Sequence, residues 1–185
     1  MAMALATPDK EGAAVAVPNT LEMFKSLCVA SEGDFSTVIA QADAMGWRQP
    51  GPRVLADLPG SLAHMKDGQI RVTQASGGGA FLVFTGRDIA AGRDGSPGNN
   101  RVCGVVGAQV GSPDNGFRED VAAWAGGSPM IASADRVVFA MHGSSGQRTA
   151  SQAQKDFDAG KLRGVVALSP QGANILVYVI PTQAN

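Results

Sequence analysis

The chain has 185 residues, of which 44% are hydrophobic and 17% are charged, so it is long enough to fold as one domain around a sizeable core. Fifteen basic and 16 acidic residues give a formal net charge of −1, which argues against a nucleic-acid partner because such proteins carry a strongly basic face. The sequence has no run of about 18 apolar residues, and we therefore predict no membrane-spanning helix.

Residues 1–17 are predicted to form a flexible N-terminal segment, because they lack hydrophobic periodicity and are rich in small residues. Ala4-Leu5-Ala6 has the small-x-small form of a signal-peptidase site, although few apolar residues and no basic stretch precede it. One interpretation is a signal-peptide remnant, which predicts a periplasmic or secreted protein. The other is a flexible N-terminus of a cytoplasmic protein. Residues 18–185 are predicted to form a single α+β domain.

Two amphipathic helices are predicted next, over residues 19–30 and 34–45. Asn19 can cap the first helix, with Glu22 three positions later in a variant of the capping box. Apolar residues recur at helical spacing in both segments, so each helix has one face that can pack on a core. These residues are Leu21, Phe24, Leu27 and Cys28 in the first helix, and Phe35, Val38, Ile39, Ala42 and Met45 in the second.

The second helix is predicted to begin at Asp34 and to end at Gly46, which can adopt the left-handed conformation of a Schellman motif. Trp47 would then fold back onto the last turn, which makes it a packing residue rather than a ligand platform. Residues 48–60 contain three prolines and are predicted to form an irregular surface connection.

Three strands are predicted over residues 69–74, 80–86 and 101–110, where the hydrophobic period becomes two or the run is continuously apolar. Asp67-Gly68 is interpreted as the turn that opens the first strand. Residues 86–100 contain several turn signals and are predicted to form a loop. Because no helix separates the three strands, they are expected to form an antiparallel meander.

The C-terminal half is predicted to contain a helix that begins at Ser112, a strand over residues 136–142, a helix over 151–160 and a final hairpin. We expect a type I turn in the hairpin, with Pro170 as its second residue. The sequence therefore predicts an α+β fold. Two N-terminal helices pack on an antiparallel sheet of five or six strands, with one or two further helices between strands. The predicted core consists of Phe24, Leu27, Phe35, Val38, Ile39, Phe81, Val83, Val105, Trp124, Val138, Phe139, Val166, Leu176 and Tyr178.

The two cysteines, Cys28 and Cys103, lie at the end of a predicted helix and in a predicted strand. A helix packed on a sheet could bring the two sulfur atoms together. The even count, these positions and the Ala-x-Ala start favour a disulfide over two buried free thiols. Two distant cysteines and two histidines without C-x-x-C spacing do not indicate a metal site. Residues 103–111 are glycine-rich but match neither nucleotide-binding pattern, and no cofactor is predicted.

The segment around Cys28 is similar to the start of a group of small exported proteins of α-proteobacteria whose function is unknown. The shared pattern is Phe-x-x-x-Cys, Gly-Asp and Gly-Trp, which here corresponds to Phe24, Cys28, Gly33-Asp34 and Gly46-Trp47. Members often carry a second cysteine in a later strand, as Cys103 would be. The resemblance implies an exported protein and supplies no catalytic residues.

Residues 141–149 contain the candidates for nucleophilic catalysis, His142, Ser144 and Ser145. A serine hydrolase needs a base within hydrogen-bond reach of its hydroxyl group and backbone amides that stabilise an oxyanion. Here Gly-Ser-Ser-Gly lacks the Gly-x-Ser-x-Gly spacing of the nucleophile elbow. The preferred interpretation is a glycine-serine turn with a surface histidine, and a small serine hydrolase stays an alternative.

Residues 86–100 contain Gly-Arg-Asp twice, which places Arg87, Asp88, Arg93 and Asp94 in one polar loop. Binding residues are often found in loops, although a solvated loop with Arg/Asp pairs would have the same composition. The sequence therefore favours a non-catalytic envelope protein that binds a protein or small molecule through this loop and the neighbouring sheet edge. The alternatives are the hydrolase and an inhibitor or immunity-type protein that presents a loop.

Overall fold

A computed structural model describes residues 19–56, 65–75, 78–87, 100–108, 116–126, 129–133, 136–141, 150–170 and 172–181. Helix α1 consists of an α-helical turn, Thr20–Phe24, continued by a π-helical segment, Lys25–Val29. The other described helices are α2 (Phe35–Ala44), α3 (Pro52–Ala56), α4 (Phe117–Ala125) and α5 (Ala150–Asp158). The described strands are β1 (Lys66–Gln74), β2 (Ala80–Arg87), β3 (Arg101–Ala108), β4 (Ile131–Ala132), β5 (Arg136–Met141), β6 (Arg163–Leu168) and β7 (Ala173–Ile180).

The strands form one antiparallel sheet in the order β1-β2-β3-β7-β6-β5-β4. The predicted α+β class and the β1–β3 meander are therefore confirmed, but seven strands of the described residues join the sheet rather than five or six. Strand β4 was missed because two residues are too few to show a period. Helix α3 lies within residues 48–60, for which the three prolines predict an irregular connection. The helix forms there because proline is tolerated at the first position of a helix, where Pro52 lies.

Asn19 and Asp34 cap the starts of α1 and α2 as predicted, but Glu22 pairs with Lys25 instead of completing the predicted capping box. The Asn19 side chain accepts a hydrogen bond from the Glu22 amide at 2.9 Å, whereas the Glu22 carboxylate pairs with Lys25. Asp34 caps α2 by accepting hydrogen bonds from the Ser36 hydroxyl and from the Thr37 amide and hydroxyl groups, and these bonds lower its pKa to about 2.

Gly46 and Trp47 end α2 with both hydrogen bonds of the predicted Schellman motif. The Trp47 amide donates to the Ala42 carbonyl and the Gly46 amide to the Asp43 carbonyl, each at 3.0 Å. The Trp47 ring is buried and stacks on Phe81, with ring centroids 6.3 Å apart. Trp47 is therefore a packing residue, as predicted.

The main core lies between helices α1, α2 and α4 and one face of the sheet. Phe24 of α1 is fully buried at its centre and meets Trp124 and Tyr178 edge to face, with centroid distances of 5.7 Å and 6.2 Å. Ten of the predicted core residues are buried, and all but Ile39 belong to this cluster: Phe24, Leu27, Val38, Ile39, Phe81, Val83, Val105, Phe139, Leu176 and Tyr178.

Four predicted core residues, Phe35, Trp124, Val138 and Val166, are only partly buried. Phe35 is the first residue of α2, at the rim of the packed face. Val138 and Val166 oppose each other on the sheet face that points away from α1 and α2, because alternate residues of a strand face opposite sides. Met45, predicted to continue the α2 stripe, is 51% exposed.

Two turn predictions differ from the structure. Asp67 has a φ of +56° and lies with Gly68 at a register shift inside β1, so the pair forms an irregularity of the strand rather than the turn that opens it. In the C-terminal hairpin the Ala173 amide donates to the Pro170 carbonyl, which makes Pro170 the first residue of a turn rather than the second. The predicted flexible segment 1–17 and the predicted helix start at Ser112 lie outside the described residues.

Gly33 allows the turn between α1 and α2 to pack against the sheet. Its φ is +62°, and a Cβ atom at this position would lie 2.5 Å from Cδ1 of Ile180. We expect Gly33→Ala to lower the free energy of unfolding by about 2–4 kcal/mol, through the left-handed backbone and overpacking together. Gly46→Ala is the matched control, because Gly46 has a φ of +80° and no atom within 4 Å of such a Cβ atom. Urea denaturation should show the smaller loss in Gly46→Ala, and equal losses would contradict a packing role for Gly33.

Candidate binding site at the edge of the sheet

The two cysteines are brought together at disulfide distance in the pairing that the sequence favoured. The Sγ atoms of Cys28 and Cys103 lie 1.95 Å apart, the Cα atoms lie 5.5 Å apart, and both residues are fully buried. The bond joins the π-helical part of α1 to β3, in the interior of the sheet. Disulfides of this kind form and persist in oxidising compartments.

Most of the other predicted site residues lie outside the described part of the chain. This holds for Asp88, Arg93 and Asp94 of the predicted loop and for His142, Ser144 and Ser145. The hydrolase hypothesis therefore stays a prediction. Arg87 is described, as the last residue of β2, where it faces Lys66 across the β1–β2 ladder. Its Nε atom lies 3.4 Å from Oδ2 of Asp67.

Strand β1 is an outer strand of the described sheet. In the described residues, its outer edge pairs with the segment that follows α2 at one point. The Arg48 amide donates to the Val72 carbonyl at 2.9 Å, and the Val72 amide donates to the Arg48 carbonyl at 2.8 Å. An antiparallel continuation would place Pro50 opposite Ile70, but proline has no N–H group to donate. The ladder ends after this bridge, and the chain turns away into α3.

The divergence of the two segments leaves an open pocket of about 240 Å³ beside β1. It is lined by Gln49, Pro50, Leu55, Gly68, Gln69, Ile70 and Arg71. Leu55 is 45% exposed and contributes an apolar wall from α3. The opposite wall consists mainly of the backbone and side chains of β1. The pocket therefore combines apolar side chains with a strand edge.

The charges around the pocket fall into two groups. Arg71 is fixed, because its Nε and Nη2 atoms donate to the two carboxylate oxygens of Asp43 at 2.6 Å and 3.2 Å, and these bonds lower the pKa of Asp43. Arg48, Arg53 and Lys66 are exposed, and no ion pair with another described residue holds them. The two segments that border the pocket, residues 48–56 and β1, therefore carry exposed cationic groups that a ligand can contact.

The sequence does not predict this pocket, and it does not identify β1 as the strand whose edge is open. Residues Gln69 and Arg71 were assigned to a strand, and residues 48–60 to an irregular connection, without an indication that the two segments meet. The available signal was Pro50, whose missing N–H group disfavours a paired strand at that point.

Neither a metal-binding cluster nor a membrane-spanning helix is found among the described residues. In that part of the chain no three His, Cys, Asp or Glu side chains are grouped so that they could hold a metal ion. None of its helices combines the length and the apolar character needed to cross a membrane.

Comparison with known proteins gives no relative. No family model, no curated protein and no solved structure matches this chain.

Proposed function

We propose that the protein is a non-catalytic binding protein of the bacterial envelope, which holds its partner at the outer edge of β1. The observation that carries the proposal is the interrupted pairing of this edge. Arg48 pairs with Val72, the chain then leaves the strand at Pro50, and a pocket with an apolar wall opens beside Ile70. Exposed strand edges are a common surface for the addition of another chain.

The size of the pocket favours a protein partner over a drug-sized small molecule. Pockets for such ligands usually measure about 300–1,000 Å³ and enclose most of the ligand. The pocket beside β1 measures about 240 Å³ and is open, which suits one or two side chains of a larger partner. Arg87, which ends β2 and belongs to the predicted 86–100 loop, lies across the β1–β2 ladder from Lys66, and we propose that this predicted loop contacts the same partner.

The envelope location is proposed from two features that agree. The Cys28–Cys103 pair is buried and at disulfide distance, which favours an oxidising compartment such as the periplasm. The Phe-x-x-x-Cys, Gly-Asp and Gly-Trp pattern resembles exported proteins of α-proteobacteria. A periplasmic or secreted protein fits both features better than a cytoplasmic one.

Site-specific photo-crosslinking in the native host tests this function. A benzoylphenylalanine residue replaces the exposed, pocket-lining Gln69 in one variant and the exposed Lys161, which does not line the pocket, in the matched control. We expect discrete covalent adducts after illumination of the Gln69 variant and none from the Lys161 variant. Absence of adducts at Gln69, or the same adducts at both positions, would contradict a binding function at the β1 edge.

A further inference from the structure

We infer that the partner at the β1 edge is an extended peptide segment in which acidic side chains flank an apolar one. This inference rests on the proposed binding function and adds the chemistry of the partner. It follows from three features of the described residues, namely the direction of the Ile70 backbone groups, the cations around the pocket and the apolar wall.

The backbone of Ile70 points to the outer side of β1. Val72 directs its N–H and C=O groups outward to Arg48, and in an antiparallel ladder alternate residues direct these groups to the same side. The Ile70 carbonyl accepts a hydrogen bond from Nη1 of Arg71 at 3.0 Å. No described residue accepts a hydrogen bond from the Ile70 amide across this edge. An added strand can therefore accept a hydrogen bond from the Ile70 amide at the point where Pro50 ends the internal pairing.

The open part of the edge is short. Lysine side chains and bulges discourage edge-to-edge pairing, and β1 has both at Lys66 and at the Asp67–Gly68 irregularity. The stretch Gln69–Ile70 lies between this protected end and the Arg48 bridge. Two or three backbone hydrogen bonds give only modest net affinity. A peptide partner must therefore gain most of its selectivity from side chains at either end of this stretch.

The charges near this stretch select acidic side chains. Arg48 and Arg53 lie on the segment that pairs with β1 at Val72 and then turns into α3. Lys66 is the first residue of β1. The two described carboxylates nearby are already engaged, since Asp43 binds Arg71 and Asp67 lies 3.4 Å from Arg87. A partner with carboxylates would complement the remaining cations, whereas a basic partner would be repelled.

The apolar wall of the pocket favours an apolar residue between the two acidic residues of the peptide. Leu55 and Pro50 face Ile70 across the pocket, whose volume of about 240 Å³ accommodates an apolar side chain of moderate size. Side chains of an extended peptide alternate between two directions. An apolar residue that enters the pocket leaves its two neighbours outside it, where carboxylates could meet the exposed cations of the bordering segments, Arg48, Arg53 and Lys66. The pattern acidic–apolar–acidic fits this geometry.

Selection from a displayed library of random twelve-residue peptides tests the inference. We expect the selected peptides to be enriched in Asp and Glu on both sides of an apolar residue. The strongest one should then be synthesised and titrated into ¹⁵N-labelled protein, where the Ile70 amide should show one of the largest chemical-shift changes. A library that yields no binder, shows no acidic enrichment, or leaves the Ile70 amide unchanged would overturn the inference.

Variants of β1 give a second readout. Ile70→Pro removes the outward N–H group and should weaken binding of the selected peptide about tenfold or more, which corresponds to about 1.4 kcal/mol. Gln74→Pro is the matched control, because its N–H group also points outward but lies beyond the Arg48 bridge, and it should change affinity less than about twofold.

Replacing Lys66 and Arg53 by glutamine should weaken binding about three- to tenfold and reduce its salt dependence. Equal affinities of wild type and a folded Ile70→Pro variant would overturn the inference.

The two proposals can fail separately. Adducts at Gln69 together with no selection of acidic peptides would retain the binding function and reject this partner chemistry. Absence of adducts at Gln69 in the host, with selected acidic peptides that bind at Ile70, would retain the chemistry of the edge and reject its use in the cell.

Discussion

Replacing Cys28 and Cys103 together by alanine is expected to lower the free energy of unfolding by about 2–5 kcal/mol. The bond spans 75 positions of the sequence. For a loop of this size the chain-entropy relation gives about 4.5 kcal/mol, which is an upper figure because real bridges often contribute less. Urea denaturation followed by circular dichroism measures the change as a lower midpoint of the transition.

A matched sample separates the contribution of the disulfide bond to stability from that of the cysteine side chains. Wild-type protein refolded in the presence of a reductant keeps both cysteine side chains and lacks only the bond between them. We expect its denaturation midpoint to lie near that of the double alanine variant. If the reduced protein were as stable as the oxidised one, the bond would not be a stabilising element. Because both residues are fully buried, reductant added to the folded protein should react slowly.

Phe24→Ala is expected to lower the free energy of unfolding by about 3–5 kcal/mol, the range for a buried phenylalanine. The ring is fully buried and meets two aromatic rings edge to face, at centroid distances of 5.7 Å and 6.2 Å. Its removal leaves a cavity between α1, α4 and the sheet, because Trp124 and Tyr178 are held by other elements. The measurement is again the midpoint and slope of a urea transition.

Phe35→Ala is the matched control, since it removes the same side chain from the neighbouring helix. Phe35 is only partly buried at the start of α2, so we expect a loss below about 1.5 kcal/mol. A similar loss in both variants would contradict the central position of Phe24. The comparison also tests a residue that helical periodicity alone assigned to the core.

The helices α1 and α2 could be predicted because their signals are local. Asn19 and Asp34 each accept a hydrogen bond from an amide three residues later, and Gly46 with Trp47 closes the last turn through neighbouring carbonyls. These interactions depend on a few consecutive residues, which the sequence shows directly. Helical periodicity also identified the buried face of α2, although it did not show that the stripe runs beyond the core at Phe35 and Met45.

The candidate site depends on long-range placement, which a single sequence does not show. The alternation of residues 69–74 predicts a strand but not whether one or both of its sides are paired. That outcome depends on β1 being outermost and on Arg48 meeting Val72. Similarly, Val138 and Val166 have the composition of core residues, but only the sheet register assigns them to the face away from α1 and α2. The disulfide could be anticipated because it requires only that a helix pack on a strand.

The position of β7 determines when the sheet can be completed during synthesis. Among the described strands β7 comes last in the chain, yet it lies between β3 and β6 and joins the β1–β3 meander to the β4–β6 group. Until Ala173–Ile180 has been made, the nascent chain holds two separate sheet fragments, each with an exposed edge that β7 later covers. Completion of the sheet therefore requires β7, and its non-local strand pairing favours slow folding. We expect the edges of β3 and β6 to need protection until β7 inserts between them.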